Sequence, residues 1–109
     1  MTKIMNVQFE YLYRDAGNFK NWNEIVFANP SNLPVETLNR RARQVLIDQS
    51  YFVAEKARVP DLHFPNHDSD LDHDWHEFHT ITATDKPPDD QMGRTIEEFL
   101  KSIDVAAKF

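Results

Sequence analysis

The sequence contains no cysteine and only two glycines among its 109 residues. Without cysteine, the chain has no disulfide scaffold, no thiol nucleophile and no cysteine-ligated zinc or iron–sulfur site. With glycine only at Gly17 and Gly93, it has no glycine-rich loop that could cradle a phosphate group. The few serines form no nucleophile elbow, so these common enzyme signatures are missing.

Long hydrophobic runs are missing as well. No stretch approaches the roughly 18 consecutive apolar residues that a membrane-spanning helix needs. The opening residues, MTKIMNVQ, contain neither the apolar region nor the small-residue cleavage site of a secretory signal. We therefore expect a cytoplasmic protein with no membrane partner.

The residues that are present are sufficient for one folded domain. The chain is 40% hydrophobic and 12% aromatic, which is more aromatic than a disordered chain usually is. Its length fits a single domain, since domains typically contain about 100–150 residues. We expect one domain over residues 1–109, which buries roughly two-thirds of the surface of its unfolded chain and so has one core.

The net charge of −6 is unevenly distributed along the chain. Residues 1–58 carry eight basic and six acidic side chains, whereas residues 59–109 carry four basic and twelve acidic ones. An acidic excess argues against direct nucleic-acid binding, which needs a basic face to displace counterions. It favours a partner with a basic surface, a cation, or simply solubility.

Four segments have the composition of β-strands. Residues 4–14 alternate between apolar and polar side chains, which is typical of a half-buried strand. The turn-forming residues 15–18 follow, and a connection of roughly eight residues would lead to a second strand at residues 24–28. Two further strands are predicted at residues 51–54 and 75–83, the latter again by alternation.

Two helices complete the predicted fold. The first should begin near Pro34, since proline is tolerated in a first turn. The second should begin at Thr95, because Thr95 and Glu98 form the pattern of a capping box. The order is then β-β-α-β-β-α, which predicts an α+β domain with a mainly antiparallel sheet and both helices packed on one face.

Several strings of this sequence resemble a group of small bacterial and mobile-element proteins. They are YLYRDAGN at 11–18, PDLHF at 60–64, DHDWHEF at 72–78 and TIEEFL at 95–100. The resemblance spans most of the chain and implies a compact domain that stands alone or is encoded beside other genes. No activity is known for the group, so it implies no catalytic residue.

All the histidines lie between positions 63 and 79, among many carboxylates. The potential ligands are Asp61, His63, His67, Asp68, Asp70, Asp72, His73, Asp74, His76, Glu77 and His79. Histidine with carboxylate suits divalent transition metals. If residues 75–83 form a strand, the side chains of His73, Glu77 and His79 share one face and His76 points to the other. The sequence thus predicts a metal site at His73, Glu77 and His79, to which His63 could add a ligand.

Other features weigh against a metal site. The sequence lacks a His-Glu-x-x-His helix motif. The spacing from Asp68 to Asp72 is similar to that of a calcium loop, but His73 and His79 stand where that loop needs glycine and glutamate. Acidic segments are also often merely solvated, so the sequence leaves the choice open between a metal and no cofactor.

Two other groups of residues are candidate binding sites. Arg40, Arg41 and Arg43 could bind an anion, since arginine pairs bidentately with phosphate and carboxylate, or they could be a solvated helix face. Phe19 and Trp22 stand in a polar segment, where exposed aromatic side chains suit a protein or a nucleobase. The alternative for both rings is that they fold back onto the core.

The function that the sequence favours is a small acidic interaction module. It could inhibit a larger nucleic-acid-handling or defence enzyme by presenting carboxylates to a basic surface. The partner-binding residues would be Asp68, Asp70, Asp72 and Asp74, together with Phe19 and Trp22. The alternatives are a metal-dependent hydrolase and a nucleotide-binding protein, and the oligomeric state stays open, a homodimer included.

Overall fold

The computed structural model describes residues 5–64 and 75–107. Its elements in chain order are β1 Asn6–Arg14, β2 Lys20–Phe27, α1 Val35–Val45, β3 Tyr51–Phe52, α2 Ala54–Ala57, β4 His76–Thr84 and α3 Ile96–Ala107. Within these residues the strands form one antiparallel sheet in the order β2-β1-β4-β3. The predicted α+β class and element order are confirmed, with α2 as an addition.

Strand β1 lies inside the sheet, between β2 and β4. The side chains of Val7, Phe9, Tyr11 and Tyr13 are almost fully buried, as the alternation predicts. They meet the buried residues of the helices in a single core, where the ring of Phe9 lies 4.9 Å from that of Phe99 in α3. The helices therefore cover the face of the sheet that carries Phe9, and the other face is called the outer face below.

A β-bulge shifts the side-chain alternation of β4. Glu10 of β1 pairs with Thr80, but Tyr11 pairs with Phe78, so His79 has no opposite residue. One extra residue in a strand moves the following side chains to the other face. Phe78 and Ile81 are consequently both buried in the core although they differ in parity.

Two predicted boundaries are wrong. Strand β2 begins at Lys20, so the hairpin loop spans only residues 15–19, and Trp22 lies in the strand. The loop is shorter because the Asp15 carboxylate accepts a hydrogen bond from the Phe19 amide at 2.9 Å and closes the turn. The third strand stops at Phe52, because the next residues form the short helix α2, which ends at Arg58 in a left-handed conformation.

The capping box of α3 is present as predicted. The Thr95 amide donates to Glu98 Oε1 at 2.9 Å, and the Glu98 amide donates to Thr95 Oγ1 at 3.2 Å. These reciprocal bonds satisfy two amides that the first turn of a helix leaves without backbone partners.

Helix α1 protects part of the free edge of β4. The Asn39 amide group donates to the Ile81 carbonyl at 2.9 Å and accepts from the Ile81 amide at 3.0 Å. A side-chain amide thus occupies the place of a neighbouring strand, beyond the point where the two-residue strand β3 ends.

Candidate metal centre

An extended segment, residues 60–63, is fastened beneath β1 and β2 by side chains of the sheet. Tyr11 Oη donates a hydrogen bond to the Pro60 carbonyl at 2.8 Å, and Asn21 Nδ2 donates to the Leu62 carbonyl at 3.2 Å. Asn23 Nδ2 donates in turn to Tyr11 Oη at 3.1 Å. These contacts hold the segment against the beginning of β4.

The segment brings Asp61 and His63 together with His76, the first residue of β4. The potential ligand atoms of these three residues all lie within 4.8 Å of one another. His63 Nδ1 is 2.9 Å from Asp61 Oδ1, and His76 Nε2 is 3.4 Å from the same oxygen. Among the described residues this is the one such group of histidine and carboxylate side chains.

The two imidazoles are oriented by their surroundings. The His76 side chain is only 1% exposed, and its Nε2 accepts a hydrogen bond from the Leu62 amide at 2.8 Å. The His63 ring packs edge-on against Tyr13, with 4.5 Å between the ring centroids. Asp61 Oδ1 accepts a further bond from the His63 amide at 2.9 Å. The cluster is therefore built from side chains with fixed orientations.

The hydroxyl of Tyr11 is a supporting group of this cluster. Its pKa is raised to about 12, chiefly by burial and in smaller part by the nearby Asp61 carboxylate, against the opposite effect of the Asn23 hydrogen bond. The phenol therefore keeps its proton over the physiological range and remains a donor to the Pro60 carbonyl. Tyr11 thereby holds the residue that immediately precedes Asp61.

A cavity of about 230 Å³ opens beside the cluster. It is lined by Val53, Ala54, Glu55, Asp61, His63 and His76. The Asp61 side chain is 57% exposed, so the cluster is accessible from solvent on this side while His76 closes it from the core. The cavity has room for water or a small ligand next to the three side chains.

The donor set fits a divalent transition metal. Two ligands that each lie about 2.1 Å from a tetrahedral zinc ion are about 3.4 Å apart. His76 Nε2 has this separation from Asp61 Oδ1, whereas His63 Nδ1, at 2.9 Å, would move slightly away from that oxygen to admit the ion. Two histidines and one carboxylate also match the ligand types of catalytic zinc and non-haem iron sites. Asp61, His63 and His76 could therefore hold the metal, and the cavity could hold a further ligand.

The structure places the predicted metal ligands in different surroundings. His63 belongs to the cluster, but the Glu77 carboxylate accepts two hydrogen bonds from Arg14, both 3.2 Å long. The His79 ring packs edge-on against Trp22, at 5.1 Å between centroids. His73 lies outside the described residues. The side chains of Glu77 and His79 therefore do not lie in the cluster that contains His63.

Sequence reasoning did not select Asp61 and His76 as members of this cluster. Alternation correctly set His76 on the face opposite to Glu77, and that is the face that carries the core. The available signal was the parity of His76, which it shares with the apolar Phe78 and which therefore predicts that its side chain points to the core. A second signal was given by Pro60 and Pro65, which bracket Asp61 and His63 and predict an extended chain rather than a central strand.

The other candidate residues are dispersed. Arg41 lies 3.7 Å from Glu97, and Arg43 donates to the Gln49 carbonyl at 2.8 Å, so the arginines do not converge on a common anion site. Arg40 is exposed on the same helix. Asp68, Asp70, Asp72 and Asp74 lie outside the described residues, so partner binding through them stays a prediction.

The two aromatic side chains of the hairpin do not fold back onto the core. Phe19 is 70% exposed and Trp22 is 51% exposed. Trp22 lies on the outer face of β2 and Phe19 at the end of the hairpin loop. They are therefore surface residues that a partner could reach.

Comparison with known proteins identifies no relative. No protein-family model, no curated protein and no solved structure matches the chain. In the part of the chain that the structure describes, no helix combines the length and the apolar character needed to cross a membrane. Any functional assignment therefore rests on the geometry of the residues themselves.

Proposed function

We propose that this protein binds a divalent transition metal through Asp61, His63 and His76. The observation that carries the proposal is the convergence of one carboxylate and two imidazoles, with their ligand atoms within 4.8 Å of one another. Hydrogen bonds from the sheet hold the segment that carries Asp61 and His63, so the fold itself keeps these two side chains beside His76.

The surroundings support a centre of the catalytic type rather than a closed structural one. Structural zinc sites usually have four protein ligands, whereas catalytic sites have three and keep one position open. When bound at such a site, zinc lowers the pKa of a bound water to about 7 and so supplies hydroxide for hydrolysis. The cavity beside Asp61 gives a water or a substrate access, and Glu55 lines it as a further carboxylate.

The same three residues form a hydrogen-bonded network by themselves. His76 Nε2 accepts the Leu62 amide, and a metal at this nitrogen would displace that bond. A buried hydrogen-bonded network can also order the chain without binding any metal. Direct measurement of metal binding therefore decides between a centre and a structural network.

The interaction module and the nucleotide-binding protein remain further proposals. The acidic residues that would carry binding to a basic partner lie outside the described residues, and the described arginines do not converge on an anion site. The metal centre is therefore the function that the described geometry supports best.

The test is metal titration of the untagged protein, first stripped with a chelator. We expect one Zn²⁺ per chain by calorimetry, and one Co²⁺ with the visible absorption bands of a low-symmetry site. Asp61→Asn and His63→Gln should each weaken binding by roughly tenfold or more, since even residues that only support a metal ligand change affinity about 10–100-fold. Both substitutions are at solvent-accessible side chains, so the fold should survive.

The matched controls are His79→Ala and Asp85→Asn, exposed residues of the same two types. They should bind metal like the original protein, and circular dichroism should show that all four variants are folded. Absence of stoichiometric metal in the original protein would overturn the proposal. Unchanged affinity in both Asp61→Asn and His63→Gln would also contradict it, because the metal would then bind elsewhere.

A further inference from the structure

Strand β2 forms one edge of the sheet, and part of this edge has open backbone groups. At Val26 the edge is closed by Asp89. Its Oδ1 accepts a hydrogen bond from the Val26 amide at 2.7 Å, and its backbone amide donates a hydrogen bond to the Val26 carbonyl at 3.0 Å. Backbone groups of an antiparallel strand point alternately to either side. Lys20, Trp22 and Glu24 therefore also direct their amides and carbonyls away from β1.

The opposite edge of the sheet is closed in part. The opposite edge is closed at Phe78, whose amide donates to the Ser50 carbonyl at 2.8 Å, and at Ile81 by Asn39. Within the described residues, the outward backbone groups of Lys20, Trp22 and Glu24 have no hydrogen-bond partner. Proteins usually block such edges, because an open edge is a template for another strand.

The side chains along this stretch are arranged symmetrically about Trp22. Lys20, Trp22 and Glu24 alternate with their neighbours and so share the outer face, where all three are exposed. The basic and acidic side chains stand two residues before and two residues after the tryptophan. The contact with His79 orients the Trp22 ring on this face.

We infer that two copies of the chain pair through β2, antiparallel, about a two-fold axis at Trp22. In this register Lys20 lies opposite the partner's Glu24, Glu24 opposite the partner's Lys20, and Trp22 opposite the partner's Trp22. All three outward residues then exchange backbone hydrogen bonds with the partner strand. The two sheets join into one continuous sheet across the axis.

Charge favours this register over those centred on Lys20 or Glu24. An axis at Lys20 or Glu24 sets two like charges directly opposite each other, which destabilises a cross-strand pair. The axis at Trp22 forms two opposite-charge pairs and one aromatic pair, both of which stabilise antiparallel strands. Glu24 already lies 3.4 Å from Lys86, but that contact is exposed on both sides and leaves the carboxylate accessible to the partner's Lys20.

This inference is independent of the metal centre. Asp61, His63 and His76 lie on the core side of the sheet, whereas the charged pairs form on the outer face. Loss of metal binding should therefore leave pairing unchanged, and loss of pairing should leave metal binding unchanged.

The test is a charge-exchange series measured by sedimentation equilibrium over a wide range of protein concentrations. The original protein should show a monomer–dimer equilibrium. Lys20→Glu and Glu24→Lys should each raise the dissociation constant by roughly tenfold, because two attractive pairs become repulsive. The double variant Lys20→Glu/Glu24→Lys should restore dimerisation, as should a mixture of the two single variants.

Hydrogen exchange gives an independent readout of the same interface. The amides of Lys20, Trp22 and Glu24 should become protected as concentration rises. Those of Asn21 and Asn23 point to β1 and should be protected at every concentration. A protein that stays monomeric at every concentration overturns the inference, and Lys20 would then be a charge that blocks edge pairing. Dimerisation that is the same in all the variants contradicts it as well.

Discussion

At the scale of single residues, the buried ion pair between Arg94 and Asp90 has a large expected effect on stability. Their side chains are 8% and 2% exposed, and Arg94 Nη2 lies 2.9 Å from Asp90 Oδ1. The guanidinium also donates to the carbonyls of Ala57 and Arg58, at 2.9 and 3.1 Å. The pair thus joins the end of α2 to the segment that leads into α3.

Asp90 is ionised in the folded state in spite of its burial. Burial alone would raise the pKa of its carboxyl, but the hydrogen bonds and the charge of Arg94 outweigh this and hold the pKa below its ordinary value of 3.8. The Arg94 amide and Nε both donate to Asp90 Oδ2, at 2.9 and 3.0 Å. Ionised Asp90 therefore stabilises the fold.

We expect Asp90→Asn to lower the free energy of unfolding by about 3–5 kcal/mol at pH 7, because it leaves the Arg94 charge buried without its partner. The matched control is Glu97→Gln, which breaks an exposed pair with Arg41 and should change stability by less than about 1 kcal/mol. Urea denaturation measures both variants. Equal effects of the two substitutions would contradict the assigned role.

The sign of the pH dependence follows from the lowered pKa of Asp90. The folded state binds the proton less readily than the unfolded state, so the stabilisation is complete above the ordinary pKa of 3.8 and is lost as the pH falls through the lower pKa of the folded state. The stability difference between the original protein and Asp90→Asn should therefore shrink below pH 4. If the stability difference stays constant from pH 7 to pH 3, the loss in Asp90→Asn comes from altered packing and hydrogen bonding rather than from the lost charge.

At the scale of elements, local patterns predicted β1 and α3 well and the middle of the chain less well. A long alternation and a capping box depend on residues that are neighbours in sequence. The apolar run at Tyr51–Ala54 is too short to distinguish strand from helix, and it contributes to both β3 and α2. The bulge at His79 depends on pairing with β1, which no local pattern contains.

The edge of β4 shows how one side chain can stabilise an element. Asn39 Nδ2 donates to the carbonyls of Val35 and Ile81, and its Oδ1 accepts from the Ile81 amide. Removing the side chain leaves both backbone groups of Ile81 without these partners at a partly buried edge.

We expect Asn39→Ala to lower the free energy of unfolding by about 1–3 kcal/mol, the desolvation penalty of unsatisfied polar groups. Gln44→Ala, at an exposed position of the same helix, is the control and should change stability by less than about 0.5 kcal/mol. Thermal or urea denaturation measures the difference. If both variants lose the same small amount, the edge contact does not stabilise β4.

At the scale of the whole molecule, the sequence confined the candidate metal ligands to one region but did not identify which of them lie together. Asp61 and His63 lie beside His76 in a segment that long-range contacts hold in place, among them the bond from Tyr11 to Pro60, a residue 49 positions away in sequence. The candidate ligand His79 is directed to Trp22 by the pairing of three strands. Such choices depend on tertiary packing, so residue spacing alone could not make them.

The proposed metal centre also predicts a coupling between metal and global stability. Asp61 and His63 come from the extended segment and His76 from β4, so the complete ligand set exists only in the folded chain. A ligand that binds only the folded state stabilises it by about 2.7 kcal/mol when its concentration is 100 times the dissociation constant. For a domain of this size that is a rise in melting temperature of roughly 10 °C.

Calorimetric melting of the stripped protein, with and without Zn²⁺, measures this coupling. The rise should be reversed by a chelator, reduced to about half or less in Asp61→Asn, and retained in His79→Ala. Stoichiometric binding without a rise would mean that the unfolded chain binds zinc as well as the folded one, which the proposed geometry excludes. A full rise in Asp61→Asn would place the stabilising metal elsewhere in the chain. The comparison thus tests whether the fold itself assembles the three ligands.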